Sequence, residues 1–207
     1  MRIEIIDYGA GNLRSVAKAI EHLGYNASMT KDPSKLKKAS GIILPGVGAF
    51  DSAIEELEKL GFVDEIKNIV KSGKPLLGIC LGYQMFFDSS EEGNLKGLSL
   101  FNGSVKKFNF ADLKEPLAIP HMGWNSLKFA KKSPLFNGVE ENSMVYFAHS
   151  YYCAPVDSSI VSTKTDYGFE FASSVSADNV FGIQFHPEKS SSVGLKILEN
   201  FCKLCLK

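Results

Sequence analysis

Pro75-Leu76-Leu77-Gly78-Ile79-Cys80-Leu81-Gly82-Tyr83-Gln84-Met85-Phe86-Phe87 carries no charged residue over its whole length. Pro75 to Ile79 are apolar on both faces, the pattern of a strand buried in a parallel sheet. Leu81 to Phe87 read as a helix. A strand that ends on a cysteine between two glycines and passes directly into a helix is the geometry of a nucleophile elbow, with Cys in place of Ser. On this reading Gly78 and Gly82 allow a tight turn, and the helix N-terminus lowers the thiol pKa. The same five residues also fit a buried core cysteine, so the motif needs a base before it means chemistry.

Outward from this point the first half alternates β-branched runs with helical patterns. Ile3 to Ile6 read as a strand, and Leu13, Val16, Ala17, Ile20 and Leu23 fall at helical spacing up to Gly24. Tyr25 to Met29 and Gly41 to Leu44 read as strands, and Phe50 to Leu60 and Phe62 to Lys71 as helices. The second half is richer in strands, with candidates at Leu98 to Phe108, Ser143 to Ala148, Ile160 to Thr165, Phe169 to Val175 and Val180 to Phe185. The last two are joined by Ser176-Ala177-Asp178-Asn179, which suits a hairpin. A closing helix from Ser192 to Leu206 turns Leu195, Leu198, Phe201 and Leu204 or Cys205 to the sheet. The fold expected is α/β, a largely parallel mixed sheet flanked by helices with antiparallel strands added in the second half. No repeat, low-complexity tract or linker divides residues 1–207, so one domain is expected.

Composition narrows the function classes. Of 207 residues, 44% are hydrophobic and 22% charged, which excludes wholesale disorder and fibrous repeats. Lys+Arg and Asp+Glu both number 23, so no net positive field draws the chain to nucleic acid or anionic lipid. Only Arg2 and Arg14 are arginines, which weakens any reading built on forked guanidinium contacts to phosphate. Four cysteines without a paired framework point to free thiols in a reducing compartment. No export signal or membrane span is legible, so a cytoplasmic protein is expected.

A base for Cys80 is offered by His186-Pro187-Glu188, which follows the strand Val180 to Phe185. In an extended segment residues two apart point the same way, so Glu188 could orient His186 while His186 takes the thiol proton. Read alone, the pair is equally an ordinary strand end. Pro45-Gly46-Val47-Gly48 ends the third strand, where backbone N–H groups could meet a developing oxyanion or merely form a turn. Both this loop and Cys80 would lie at the carboxyl ends of parallel strands, the usual ligand edge of an α/β sheet.

Other chemistries find less support. Gly9-Ala10-Gly11-Asn12-Leu13-Arg14 begins like a dinucleotide fingerprint, but Arg14 stands where the third glycine belongs, and no Gly-Lys-Ser or Gly-Lys-Thr phosphate loop is present. His22, His121 and His149 have no metal-ligand spacing, and Cys202-Lys203-Leu204-Cys205 is a single pair on a helix. No metal or cofactor is expected.

Gly78 to Gln84 together with Gln184-Phe185-His186-Pro187-Glu188-Lys189 resemble the class I glutamine amidotransferases. Asp7-Tyr8-Gly9-Ala10-Gly11-Asn12-Leu13-Arg14-Ser15, Pro45-Gly46-Val47-Gly48, Pro120-His121-Met122-Gly123-Trp124-Asn125 and His149-Ser150-Tyr151-Tyr152 are similar, within that family, to the glutaminase subunits of imidazole glycerol phosphate synthases. The motifs run from residue 7 to residue 189. The resemblance implies Cys80 as nucleophile, His186 as general acid and base, and Glu188 as its orienter. It implies oxyanion donors at Leu81 and at Val47 or Gly48, and Gly48, Gln84, Ser150 and Tyr151 around glutamine. It further implies that the Pro-Gly-Val-Gly strand is misoriented until the partner's site is filled.

The partner implied is a (β/α)8-barrel cyclase in a 1:1 heterodimer, which receives ammonia through its core in a step of histidine synthesis. Asn12, Met122, Trp124 and Lys189 match positions that face it; the lesser reading places Met122 and Trp124 in the core and makes Lys189 an ordinary exposed cation. Tyr83 stands where relatives often have Met, and Phe110 to Leu117 is longer than expected before Pro120. Paralogues of this subunit feed ammonia to synthetases that aminate cell-surface sugars, which is the alternative acceptor. Cys80 and His186 alone would also serve a cysteine peptidase or γ-glutamyl hydrolase.

Overall fold

The computed structural model describes residues 1–111 and 113–206. In chain order the first half forms β1 (Ile3–Ile6), α1 (Leu13–His22), β2 (Ala27–Thr30), β3 (Gly41–Gly46), α2 (Phe50–Lys59), α3 (Phe62–Lys71), β4 (Leu76–Cys80) and the one-turn α4 (Leu81–Gln84). Then follow β5 (Ser89–Ser90), β6 (Gly103–Lys107), β7 (His121–Ser126), β8 (Lys128–Phe129), β9 (Met144–His149) and β10 (Tyr151–Pro155). The chain closes with β11 (Val161–Asp166), β12 (Glu170–Ala177), β13 (Val180–Ile183) and α5 (Ser191–Leu204).

Within the main sheet of the described residues the strands run β2-β1-β3-β4-β13-β12-β10-β6-β5, with β11 branching from β12 and β8 pairing with β11. The run from β2 to β13 is parallel, and β12 and β13 form the expected hairpin across Asp178 and Asn179. β1, β3 and β4 are buried on both faces, and their side chains divide between two cores. Ile3, Ile5, Ile43, Leu77 and Ile79 meet α1 and α5 on one side. Ile6, Ile42, Leu44 and Leu76 meet α2 and α3 on the other. α1 ends where expected: Gly24 at φ 83 turns Tyr25 N–H back onto the Ile20 carbonyl at 3.2 Å.

Several boundaries depart from the sequence reading. β2 starts at Ala27, with Tyr25 left outside it, half-buried against the core. Of Leu98 to Phe108 only Gly103–Lys107 is strand, because the N–H groups of Leu98, Leu100 and Phe101 bond to the carbonyls of Met85 and Phe86. The Met-Gly-Trp-Asn segment, with no apolar alternation to betray it, is strand β7, paired only with β9 in a separate two-stranded ribbon. β10 was likewise not foreseen. In α5 the deeply buried apolar positions are Ile197, Leu198, Phe201 and Cys202, with Cys205 buried just past its end, while Leu195 and Leu204 are half-buried. In the long segment before Pro120, Phe110 stacks on Phe108 at 5.4 Å; Asp112 lies outside the described residues.

Candidate functional site

Sheet order does the first work of assembly. β4 lies between β3 and β13, so Gly46 pairs with Cys80 and Ile183 with Ile79. Pro-Gly-Val-Gly, the cysteine and the strand leading to His186 therefore arrive side by side at one sheet edge, as the motifs predicted.

The elbow is built differently from expectation. The residue with left-handed backbone is Cys80 itself, at φ 55 and ψ −112, a conformation that costs a non-glycine residue about 1–3 kcal/mol. Gly78 and Gly82 have no positive φ. They are needed for space: a β-carbon at 78 would come within 2.6 Å of the Phe86 ring, and one at 82 would overlap the Leu44 carbonyl. The helix that follows is one turn, Leu81–Gln84, rather than a run to Phe87. It stops because loop residues 98–101 take the carbonyls of Met85 and Phe86. So short a helix has little dipole to stabilise a thiolate.

His186 is buried and reaches Cys80 from β13. Its backbone N–H donates to Tyr146 O at 2.9 Å, and its carbonyl accepts from Ser190 Oγ at 2.6 Å. Nδ1 lies 3.0 Å from Glu188 Oε1. Extended geometry is not what joins them. The chain leaves the extended form after His186, and the 3₁₀ turn Pro187–Lys189 swings Glu188 back beneath the ring. Burial opposes the charged imidazole, but the neighbouring Cys80 and the bond to Glu188 outweigh it and raise its pKa from 6.5 to about 10. The charged form of the ring is thus favoured between Cys80 on one side and Glu188 on the other. Gln184 Nε2 approaches Cys80 Sγ at 3.7 Å and Sγ lies 3.9 Å from Ala148 O.

A cavity of about 270 Å³ opens on Cys80. Val47, Gly48, Leu81, Gln84, Ser150 and Tyr151, all candidates from the sequence, line it, and Gly48 has φ 104. His186 is not one of its wall residues. Gln84 donates both amide hydrogens internally, to Tyr151 O at 3.0 Å and Gln184 Oε1 at 3.2 Å, so its Oε1 is what it offers a ligand. The wall also includes Glu92, Pro120, Ala148 and His149, which sequence reasoning missed. Glu92 accepts from Phe50 N–H at 2.8 Å, a contact 42 residues apart that no local pattern announces.

The proposed partner-facing residues divide between two places. Met122 and Trp124 are not core; they are 64% and 51% exposed on β7. Trp124 pairs with Tyr146 and meets its ring edge-on at 6.2 Å, while Lys189 Nζ stands 5.7 Å from the same ring. Met122 also lines the cavity. Asn12 stands at the N-cap position of α1 without a side-chain bond to its backbone N–H groups, its Oδ1 accepting instead from Ser15 Oγ at 2.8 Å, and α1 packs against the turn that carries Lys189. Cys153, Cys202 and Cys205 are buried free thiols, Cys202 and Cys205 with pKa values pushed up to about 12 by burial. Among the described residues no group of three His, Cys, Asp or Glu could hold a metal, and no helix is long and apolar enough to cross a membrane.

Comparison with known proteins returns one family model, glutamine amidotransferase class-I, matched over residues 4–205. The chain is 50% identical to the imidazole glycerol phosphate synthase subunit HisH of Methanosarcina acetivorans, covering 99% of each chain. It is 48% identical to the HisH subunit of Syntrophotalea carbinolica, covering 96% of this chain and 98% of that one. Among solved structures, a glutamine amidotransferase superposes with a TM-score of 0.76 at 18% identity, covering 99% of both chains. A chain of PurLQS from Thermotoga maritima gives 0.76 at 21%, covering 100% of this chain and 99% of that one. At such identities these two bear on the fold alone.

Proposed function

The chain belongs to the class I glutamine amidotransferases, and within them to the family of HisH subunits of imidazole glycerol phosphate synthase, and from that footing we propose that Cys80, His186 and Glu188 are its catalytic triad. His186 takes the proton of the Cys80 thiol, and Sγ attacks the side-chain amide carbon of glutamine. The carbonyl oxygen takes up negative charge against the N–H of Leu81 and that of Val47 or Gly48. His186 gives its proton to the departing nitrogen, the C–N bond breaks, and ammonia leaves a γ-glutamyl thioester on Cys80. His186 then removes a proton from water, the hydroxide adds to the thioester, and the C–S bond breaks to release glutamate and restore the thiol. Glutamine and water become glutamate and ammonia, with no other reactant consumed.

The observation that carries this reading is the pairing of Gly46 with Cys80 on β3 and β4 beside His186, whose ring is held 3.0 Å from Glu188. The walls support the substrate. Glu92 and the Gln84 Oε1 are acceptors for an α-ammonium, and Ser150 and Tyr151 share the wall with them. For ammonia to act as a nucleophile elsewhere it must not reach bulk water and be protonated. The acceptor we propose is a (β/α)8-barrel cyclase, in a 1:1 complex, that makes imidazole glycerol phosphate in histidine synthesis. Its docking face would take in Asn12, Met122, Trp124 and Lys189.

The test is glutamate release from glutamine by the purified chain, alone and with a cyclase barrel carrying its nucleotide ligand. Strong stimulation that disappears in Cys80→Ala is the expected result. Turnover at wild-type level in that variant would overturn the triad; absence of stimulation by a cognate barrel would overturn the acceptor.

A further inference from the structure

His121 and His149 are buried, and no step above uses them. His121 Nδ1 lies 3.0 Å from His149 Nε2, and His149 Nδ1 lies 2.8 Å from the carbonyl oxygen of Tyr151. At the far end Asn125 Nδ2 stands 3.3 Å from His121 Nε2. The hydrogens along this row can be placed from both ends. Asn125 Oδ1 accepts from Ser126 N–H at 2.8 Å and its Nδ2 donates to Asp166 O at 2.8 Å, which fixes the amide independently of the histidine. Its second hydrogen therefore points at His121 Nε2, which must accept. At the other end a carbonyl only accepts, so His149 Nδ1 must donate. Both rings are thereby set in one tautomer, protonated on Nδ1 and bare on Nε2.

The row continues beyond Tyr151. The carbonyl that receives His149 also receives Gln84 Nε2 at 3.0 Å; Gln84 bonds Gln184, and Gln184 reaches Cys80 Sγ. Side chains on the β7–β9 ribbon are thus joined hand to hand with the floor of the substrate cavity and with the nucleophile. A second ring proton would find no acceptor, because His149 Nε2–H would point at His121 Nδ1–H. The surroundings agree with neutral rings: His121 stacks on Tyr167 at 3.9 Å and Phe147 at 4.7 Å, and Phe108 and Phe171 close around His149. Burial pulls the two pKa values down to about 4 and about 3.

We propose that His121 and His149 are a positioning pair for the glutaminase reaction, which in their Nδ1–H tautomers hold the Tyr151 carbonyl and, through it, the Gln84 amide in the orientation that receives glutamine. The pair touches no reacting atom; it acts through Tyr151 and Gln84. The proposal rests on the glutamine reading given above and names the part of the structure that shapes the site. It also gives the ribbon bearing Met122 and Trp124 a hydrogen-bonded connection to the cavity.

The test compares two labels of Cys80. Iodoacetamide reads the thiol alone, whereas 6-diazo-5-oxo-norleucine must first be recognised as glutamine. In His149→Leu and His121→Leu the second-order rate for the diazoketone should fall about tenfold or more, corresponding to about 1.4 kcal/mol, while the iodoacetamide rate changes less than about twofold. His149→Asn, which keeps a donor near the Nδ1 position, should recover most of the loss. Rates that fall in parallel for both labels, rates that do not move, or an Asn variant no better than Leu would each overturn the positioning role. Long-range proton–nitrogen spectra of the wild-type chain, labelled at histidine, give a second reading that needs no variant. Nδ1–H tautomers at neutral pH are expected for both rings, and an Nε2–H or charged ring at either position overturns the proposal. All rates are read with a cyclase barrel carrying its nucleotide ligand present; a wild-type chain labelled there by iodoacetamide but never by the diazoketone overturns the glutamine reading and this inference together, and a labelled wild type with unmoved variants overturns this inference alone.

Discussion

Gly82 lies so close to Leu44 that a β-carbon on it would overlap the Leu44 carbonyl oxygen. The first turn after the nucleophile is thus pressed, backbone to backbone, onto the strand that leads into Val47 and Gly48. That contact sets how far Cys80 stands from the loop proposed to receive the oxyanion. Gly82→Ala should cost about 2–3 kcal/mol or more, because the obstructing atom belongs to the main chain and cannot step aside. Urea unfolding with an unchanged m value checks this. A loss below about 0.5 kcal/mol would mean that β3 and α4 part easily.

Cys80→Ala should lower glutamate release at least about a thousandfold. Cys80 also sits at φ 55, where glycine is at ease and alanine is not. Cys80→Gly is therefore expected to be more stable than Cys80→Ala by about 1 kcal/mol. Equal urea midpoints for the two variants would show that the elbow relaxes once the thiol is gone.

Glu188→Gln removes the charge behind His186 while leaving a side chain of the same shape. The ring pKa should drop from about 10, so that the imidazolium is lost at lower pH. Glutamine turnover should fall by about 10²–10⁴-fold. An NMR titration of His186 in both proteins reads the first effect, and an unmoved titration would sink it.

Stability should decline on the acid side of neutrality. Burial depresses the pKa values of His121 and His149 from 6.5 to about 4 and about 3. Above pH 6.5 neither folded nor unfolded chain holds these protons. Below it the unfolded chain takes them up and the folded chain refuses, so stability is lost as pH falls from 6.5 toward those values. Two such groups bring the slope toward about 2.7 kcal/mol per pH unit. His186 has the opposite sign, its contribution intact below 6.5 and lost as pH rises toward about 10. Urea midpoints at pH 7, 6 and 5 test this, with the His121→Leu, His149→Leu double variant expected to flatten the acid limb.

Trp124→Ala should leave the isolated chain's stability within about 0.5 kcal/mol, since the ring is half exposed on a two-stranded ribbon. Affinity for the cyclase should fall about tenfold or more if this face docks. Calorimetric titration with the barrel distinguishes the two; an unchanged affinity would place the interface elsewhere.

Much of this was legible in the chain itself. Pro75–Ile79 was legible because it is apolar on both faces, as a buried parallel strand should be, and Ile3–Ile6 and Gly41–Leu44 as β-branched runs alternating with the helical patterns of α1, α2 and α3. Cys80 and His186 were readable because each follows such a strand, and the residues around Gln84 and Ser150 because they match a family pattern. Of the ribbon, β9 was readable at Ser143 to Ala148 but β7 was not, since His-Met-Gly-Trp-Asn-Ser has no apolar alternation and is held chiefly by its neighbour.

The alternating strands and helices of the first half, the nucleophile and its candidate partners are specified along the chain alone, because they depend on local periodicity and on residue type. Three things were decided in the folded chain. Glu188 meets His186 through a 3₁₀ turn rather than along a strand; Gly78 and Gly82 serve close approach while Cys80 takes the strained backbone; Glu92, His121 and His149 join the site from distant segments. Each depends on which atoms crowd together after the sheet has closed, and that crowding leaves no period in the chain to read.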